Sequence, residues 1–236
     1  MIAIKKGPEP QSLKELRDWT ISEGYTPEMA YEALQNPLKK TVREQLTQEQ
    51  GHLCAYCMCQ IPRNDLDPNV APIIIEHYIP RNPVDGRDVG QGLDYNNMLA
   101  VCNGNRATQM KRHNDDLTCD AHRKNIEFKK VNPCNPSTLE TIFYTLKGTI
   151  GAKDPEIQSD LVDTLNLNCP TSPLIAERKG ALDGLLYDMQ KVQDDALLNY
   201  CTSRLKALEA ETDPKTPYVG ILIWYLKDMI KALSEV

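Results

Sequence analysis

Hydrophobic and polar positions change their pattern twice along the chain and divide it into three zones. The first zone, residues 12–51, carries the start and stop signals of helices. Ser12 with Glu15 predicts a capping box. Thr26-Pro27 and Asn36-Pro37 each predict a helix start, and Gly51 predicts a stop. We therefore expect two or three helices here.

The second zone, residues 52–134, loses the helical period and contains cysteines, prolines, asparagines and short apolar runs. Its clearest element is the run Ile73-Ile74-Ile75-Glu76-His77, whose β-branched residues predict a buried strand. Pro80 lacks a backbone donor and ends the ladder just beyond it. The strand should therefore present Glu76 and His77 at its end, either as partly exposed surface residues or as part of a site.

The third zone, residues 135–236, begins with a predicted hairpin and continues as helix. The segments Ile142–Thr145 and Thr149–Ile150 flank Lys147-Gly148 as two short strands. Leucines near helical spacing predict a long amphipathic helix over 173–211, and a last helix is predicted over 218–233. The predicted fold class is α+β and mostly helical, with three parts: 1–51, 52–134 and 135–236.

Composition narrows the function classes. No apolar run is long enough to span a membrane, and the start of the chain lacks the hydrophobic stretch of a signal peptide, so we expect a cytoplasmic protein without membrane contact. The net charge of −6 argues against a protein that coats nucleic acid by bulk electrostatics. Any nucleic-acid contact should be local or supplied by a partner. Residues 105–130 contain seven basic and four acidic side chains and are one candidate surface.

Eight cysteines in a cytoplasmic chain point to metal rather than to disulfides. Cys54 and Cys57 have the C-x-x-C spacing that lets two thiolates bind one zinc ion. Cys102 and Cys119 are the best candidates for the other two ligands, although both could be small core residues. Cys59 and the pair Cys119-x-x-His122 are rival sources of a ligand. We assign the remaining cysteines to packing: Cys134, Cys169 and Cys201.

The order of these features resembles the HNH nucleases. Their ββα-metal motif has a histidine at the end of a first strand, an asparagine before a second strand and a histidine on the following helix. Here the series is His77, Asn97 and His122, and the run from Asn97 to Cys102 (N-M-L-A-V-C) has the usual form. The resemblance covers about residues 52–125.

The flanking motifs look like those of PtuB, the HNH component of Septu and retron-associated anti-phage defence systems. They include the opening I-K-K-G-P-E-P, the knuckle L-C-A-Y-C and the run L-D-Y-N-N. Two departures stand out: Asn105 occupies the place of a second C-x-x-C cysteine, and the helix histidine follows the polar insert 106–118.

The resemblance implies a catalytic role for four residues. His77 would be the general base that activates water, and Glu76 and His122 would bind a catalytic Mg²⁺ or Mn²⁺. Asn97 would orient His77 or bind the cation through water, with Asn96 as the competing choice. The zinc at Cys54, Cys57, Cys102 and Cys119 would be structural.

The implied function is a metal-dependent endonuclease that cuts DNA or RNA, tRNA included, in anti-phage defence. The implied partners are an ABC-type ATPase of the PtuA type and, in some systems, a retron reverse transcriptase with its reverse-transcribed DNA. The chain itself has no phosphate-binding loop for ATP. Two other functions are compatible with the cysteines: a zinc-stabilised interaction module with a vestigial nuclease site, and a redox-sensing dithiol protein.

Overall fold

The computed structural model describes residues 1–62, 73–81, 92–106 and 113–235. It is an α+β structure, about half helical, with two small antiparallel sheets. The helices are α1 (Gln11–Ser22), α2 (Pro27–Ala33), α3 (Leu38–Glu49), α4 (Cys119–Arg123), α5 (Pro155–Ser159), α6 (Leu174–Met189), α7 (Leu197–Ala210) and α8 (Val219–Ser234). The strands are β1 (Ile74–His77), β2 (Met98–Val101), β3 (Ile142–Tyr144) and β4 (Ile150–Ala152).

The first zone forms three helices, as predicted. Thr26 caps α2, since its hydroxyl accepts a hydrogen bond of 3.2 Å from the Met29 amide. Gly51 follows α3 with φ +63°, a conformation that favours glycine. The capping box at Ser12 is wrong: α1 starts at Gln11, and the residue before it is Pro10, whose carbonyl accepts the first backbone hydrogen bonds of the helix.

The predicted strand at Ile73–His77 is confirmed as β1. It pairs antiparallel with β2, with Ile75 opposite Ala100 and His77 opposite Met98. Asn97 directly precedes β2, and the backbone amide of Tyr78 donates to its carbonyl oxygen at 2.8 Å. The end of β1 and the start of β2 are therefore fixed to each other beside His77.

The hairpin predicted around Lys147-Gly148 is confirmed as β3 and β4, with Gly148 at φ +86° in the turn. The single long helix predicted over 173–211 is wrong, because the chain breaks between α6 and α7. Gln193 is extended there, and Asp194 and Asp195 begin a 3₁₀ turn that leads into α7. Acidic residues are favoured at a helix start, which explains the break. The break between α6 and α7 allows α7 to pack against α8.

The C-terminal helices cover the cysteine-bearing turn of the second zone. The Tyr218 amide donates to the Met58 carbonyl at 2.9 Å, and the Lys215 amide donates to the Gly51 carbonyl at 2.9 Å. At Gly220 a β-carbon would lie 2.7 Å from the Tyr144 hydroxyl and 2.8 Å from the Met58 methyl group, so a larger residue would require these side chains to move. One hydrophobic core therefore includes buried side chains from all three zones. Within the described ranges, no helix is both long and apolar enough to cross a bilayer.

Candidate metal centre and active-site cleft

A tight turn between Leu53 and Gln60 holds the first two cysteines. The Cys54 amide donates to the Cys59 carbonyl at 2.9 Å, and the Met58 amide donates back to Cys54 at 3.0 Å. Met58 adopts φ +63° to close the turn. The Ala55 amide then donates to the Ala100 carbonyl of β2 at 3.1 Å, which places the turn beside the strand that leads to Cys102.

The four thiols predicted as zinc ligands meet at one point. The sulfur atoms of Cys54, Cys57, Cys102 and Cys119 all lie within 4.8 Å of one another, and all four residues are buried. The Sγ atoms of Cys57 and Cys102 are 3.8 Å apart, as are those of Cys102 and Cys119. Four sulfur donors at this spacing form the set that a tetrahedral metal ion requires.

The rival ligands lie outside this set. Cys59 is buried near the cluster but does not belong to the group of four. His122 shares the short helix α4 with Cys119, yet its Nδ1 lies 2.9 Å from the Thr164 carbonyl oxygen. The fourth position in the cluster is therefore a cysteine.

The chemistry of the cluster fits a soft divalent ion such as zinc. Zinc binds thiolates, and hydrogen bonding with the Cys119 thiol lowers the pKa of Cys102 to about 6. A cation bound between the four buried sulfur atoms would stabilise their thiolate forms, so the site is suited to a metal ion.

A cleft of about 270 Å³ lies between β1 and α4, and it contains the strand-end pair. A groove of about 520 Å³ near β3 and α8 is larger, but the smaller cleft holds the histidine and carboxylates that chemistry requires. The ionisable and aromatic side chains that line the cleft are those of Tyr31, Glu76, His77, Arg81, Asp120 and Lys124.

His77 is held in one tautomer inside the cleft. Its side chain is buried, and Nε2 lies 2.8 Å from the carbonyl oxygen of Gly92. A carbonyl oxygen only accepts, so Nε2 carries the proton and Nδ1 keeps its lone pair. Burial lowers the pKa of His77 to about 4, so the ring is neutral at pH 7. A side chain at Gly92 would collide with the Pro27 carbonyl, which explains the glycine.

Glu76 and Asp120 form a pair of carboxyl groups in the same cleft. Asp120, on the first turn of α4, is within hydrogen-bonding range of Glu76. Burial and the charge of Asp120 raise the pKa of Glu76 well above its ordinary value. Two neighbouring carboxyl groups of this kind favour binding of a hard divalent cation, which offsets their repulsion. Sequence reasoning did not select Asp120, although its position in the first turn beside Cys119 was a usable signal.

The buried Arg123 side chain holds the end of β1 in place. Its guanidinium is fully buried, forms an ion pair with Glu76, and donates to the carbonyl oxygens of His77 at 3.0 Å and Tyr78 at 2.6 Å. It also stacks over the Phe128 ring, 4.2 Å from its centre. Counting Arg123 among the basic surface of residues 105–130 was therefore wrong. Lys111 and Arg112 of that predicted surface lie outside the described residues.

Asn97 binds the backbone next to His77 rather than its ring. Its amide nitrogen donates to the Ile79 carbonyl at 2.9 Å, and its amide oxygen accepts from the Ile79 amide at 2.7 Å. Both ends of the Asn97 amide are thus engaged with the turn that follows β1. Asn96, the competing choice, is exposed.

His122 lies on a different side of α4 from Asp120. Its ring is directed to the Thr164 carbonyl, and it is not among the residues that form the cleft. Residues four positions apart lie on the same face of a helix, whereas residues two positions apart do not. Asp120 and Lys124 accordingly both line the cleft, and His122 does not. The structure therefore brings together Glu76, His77 and Asp120, while His122 stands apart. The role predicted for His122 stays a prediction.

Comparison with known proteins identifies the family of this chain. No family model matches the sequence. A protein of Vibrio cholerae serotype O1 biovar El Tor, named "Retron Vc95 putative HNH endonuclease", is 31% identical over 160 residues, which make up 64% of this chain and 67% of that protein. The chain belongs to the HNH endonuclease family.

Proposed function

We propose that this protein hydrolyses phosphodiester bonds in nucleic acid at the cleft between β1 and α4, with β1, β2 and α4 as its ββα-metal core. The observation that carries the proposal is His77: a buried, neutral imidazole whose Nε2 proton is bound to Gly92 and whose Nδ1 lone pair remains for a water proton. A general base needs this combination of protonation state and fixed orientation.

The surrounding residues hold His77 in place during proton transfer. Tyr31 packs edge-on against the imidazole, with ring centres 4.9 Å apart. Arg123 binds the His77 carbonyl, and Asn97 binds the turn at Ile79. The imidazole therefore accepts a proton from water at Nδ1 without losing its contact to Gly92. Arg123 and Asn97 are positioning residues in this mechanism.

Glu76 and Asp120 fit a catalytic Mg²⁺ or Mn²⁺, since Mg²⁺ is commonly held by one or two carboxylates together with substrate phosphate and water. Such a cation supplies positive charge that stabilises the transition state of phosphoryl hydrolysis. Arg123 and the Tyr56 hydroxyl occupy Oε1 of Glu76, which fixes the orientation of the carboxylate. His122 is the competing ligand on α4, and the variants Asp120→Asn and His122→Ala would show which of the two residues binds the cation.

The direct test is a strand-resolved cleavage assay of the purified protein on duplex DNA, single-stranded DNA and total tRNA. We expect cleavage that requires Mg²⁺ or Mn²⁺ and is lost in His77→Ala. A protein that contains zinc and binds its partner, yet cuts none of these substrates with or without that partner, would support the interaction-module function instead.

We further propose a role in anti-phage defence, alongside an ABC-type ATPase and a retron reverse transcriptase with its DNA. The name of the Vibrio cholerae relative, which refers to a retron, and the likeness to PtuB support this role. The helices outside the core offer docking residues: on α1 and α2, Trp19 is 47% and Met29 48% exposed. Co-purification with the ATPase tests it, and Trp19→Ala should weaken binding if α1 contributes.

A further inference from the structure

Basic side chains of α3 and of the turn after β1 lie around one aromatic ring of the cleft. Lys39 Nζ lies 4.7 Å from the centre of the Tyr31 ring, and the guanidinium carbon of Arg81 lies 4.2 Å from it. The same ring contacts His77 edge-on. Lys39 and Arg81 therefore lie next to the proposed general base, joined to it through the Tyr31 ring.

Arg43, one turn along α3 from Lys39, completes this group. Partial burial of Lys39, together with the positive charges of Arg43 and Arg81, lowers the pKa of Lys39. Among the described residues, no carboxylate forms an ion pair with Lys39, Arg43 or Arg81. The Nε atom of Arg43 is buried and has no hydrogen-bond partner. We call these three residues the basic wall.

Neighbouring Lys40 shows what an ordinary surface lysine of the same helix does. It is exposed and forms an i,i+4 ion pair with Glu44 at 3.8 Å. Such an exposed pair contributes little and is screened by salt. The basic wall has no such ion pair among the described residues, so a bound anion such as a phosphate would relieve the repulsion between its charges.

Tyr31 is close to both the basic wall and the carboxyl pair. It lines the cleft together with Arg81, Glu76 and Asp120. A nucleic-acid strand whose scissile phosphate reaches His77 would carry its next phosphates past this ring. Positively charged residues beside a hydrolytic site bind the phosphate backbone and set its register without reading sequence.

We infer that the basic wall of Lys39, Arg43 and Arg81 binds the phosphodiester backbone beside the scissile bond, so that the N-terminal helices form one side of the nucleic-acid site. This inference rests on the proposed nuclease function. It differs from the expectation for residues 105–130, because the charges come from α3 and from the turn after β1.

The test uses the full-length protein with His77→Ala, which cannot cleave, and measures binding by fluorescence anisotropy. The probes are a labelled DNA duplex, the same sequence as a single strand, and labelled tRNA, each titrated at several salt concentrations. Lys39→Gln and Arg43→Gln should each weaken binding of the preferred probe about fivefold to tenfold near 0.1 M salt and reduce the salt slope by about 0.9 on duplex DNA. Lys39→Arg should retain binding.

The matched control is Lys40→Gln, which removes the same charge from the same helix outside the wall. Zinc content and circular dichroism should be unchanged in all variants, since Lys39 and Arg43 are at most half-buried, Lys40 is exposed, and none of them belongs to the thiol cluster. Equal affinity and equal salt slope in Lys39→Gln, Arg43→Gln and Lys40→Gln would overturn the basic wall, as would the absence of binding to every probe.

Cleavage by the protein with His77 intact distinguishes the two proposals. If that protein cuts a probe but the wall variants bind and cut it like Lys40→Gln, the nuclease function stands and the wall is wrong. If it cuts nothing, while Lys39→Gln and Arg43→Gln selectively lose binding, the wall stands and the proposed hydrolysis fails.

Discussion

The thiol centre and the cleft share helix α4 but are built in different ways. Four side chains of one type form the thiol centre, all buried and within 4.8 Å of one another. The cleft combines a histidine, two carboxyl groups and a buried arginine, each with a different partner. A structural centre needs only its donors in place. A catalytic cleft also needs residues that hold the reacting groups, and these partners are not evident from residue type.

The largest effect should follow from Cys54→Ser. Coordination by structural zinc contributes roughly 10–16 kcal/mol to folding in small zinc domains, so the variant should lose bound metal, solubility and its thermal transition together. Elemental analysis and thermal unfolding measure this. Cys134→Ser, a half-buried cysteine outside the cluster, should keep metal and melting temperature. A Cys54→Ser protein with full zinc content would refute the assignment.

His77→Ala should affect only the cleft. The variant should stay folded and keep its zinc, but lose cleavage by a factor on the order of 10² or more, because a general base lowers the barrier and contributes little to packing. His113→Ala, an exposed histidine, is the matched control and should cleave normally. Loss of zinc in His77→Ala would mean that the two sites are not separable.

The stability of the protein should depend on pH through His77. Its folded pKa of about 4 lies below the ordinary 6.5, so the unfolded chain binds the proton more tightly. The contribution is complete above pH 6.5 and is lost as pH falls toward 4, by at most about 3 kcal/mol at ~1.4 kcal/mol per pKa unit.

Urea unfolding of the protein and of His77→Ala between pH 7 and 4 measures this difference. Glu76, whose raised pKa acts in the opposite direction, is present in both proteins, so its contribution cancels to first order. A difference in unfolding free energy that stays constant over this range would exclude a neutral, buried His77.

The smallest effects should separate Asp120 from His122. Asp120→Asn keeps the shape of the side chain but removes a negative charge, so cleavage should fall about tenfold or more and recover in part at higher Mn²⁺. His122→Ala removes the contact to Thr164 and should cost about 1 kcal/mol of stability with little loss of activity. If instead His122→Ala loses activity that Mn²⁺ restores, His122 is the ligand, as the HNH resemblance implies.

Spacing explains why the thiol centre could be predicted from the sequence. Cys54 and Cys57 are separated by two residues, and at this spacing a tight turn brings both thiols to one ion. Cys102 directly follows a short apolar run. The strand with Glu76 and His77 was predictable for a similar reason, because three isoleucines followed by a proline define its end.

Other features depend on tertiary placement. Arg123 looks like any basic residue of a polar stretch, and only its burial beneath β1 distinguishes it. Lys39 and Lys40 are adjacent and identical, yet one faces Tyr31 and the other faces Glu44. The break between α6 and α7 escaped prediction because the leucine period continues through it. Asp194-Asp195 was its one local signal.

The close packing of α8 on the cysteine-bearing turn also has a consequence for biosynthesis. Cys54 and Cys57 leave the ribosome long before Gly220, which must pass next to Met58 and Tyr144 to close the covering layer. During synthesis the thiols are therefore exposed to solvent, oxidants and competing metals until the C-terminal helices follow. We expect newly made chains to depend on zinc supply at this stage. A centre without its metal ion would also leave Cys119, and with it Asp120 and Arg123 of α4, without that anchor beside β1, so that the cleft would be assembled only after the thiol centre.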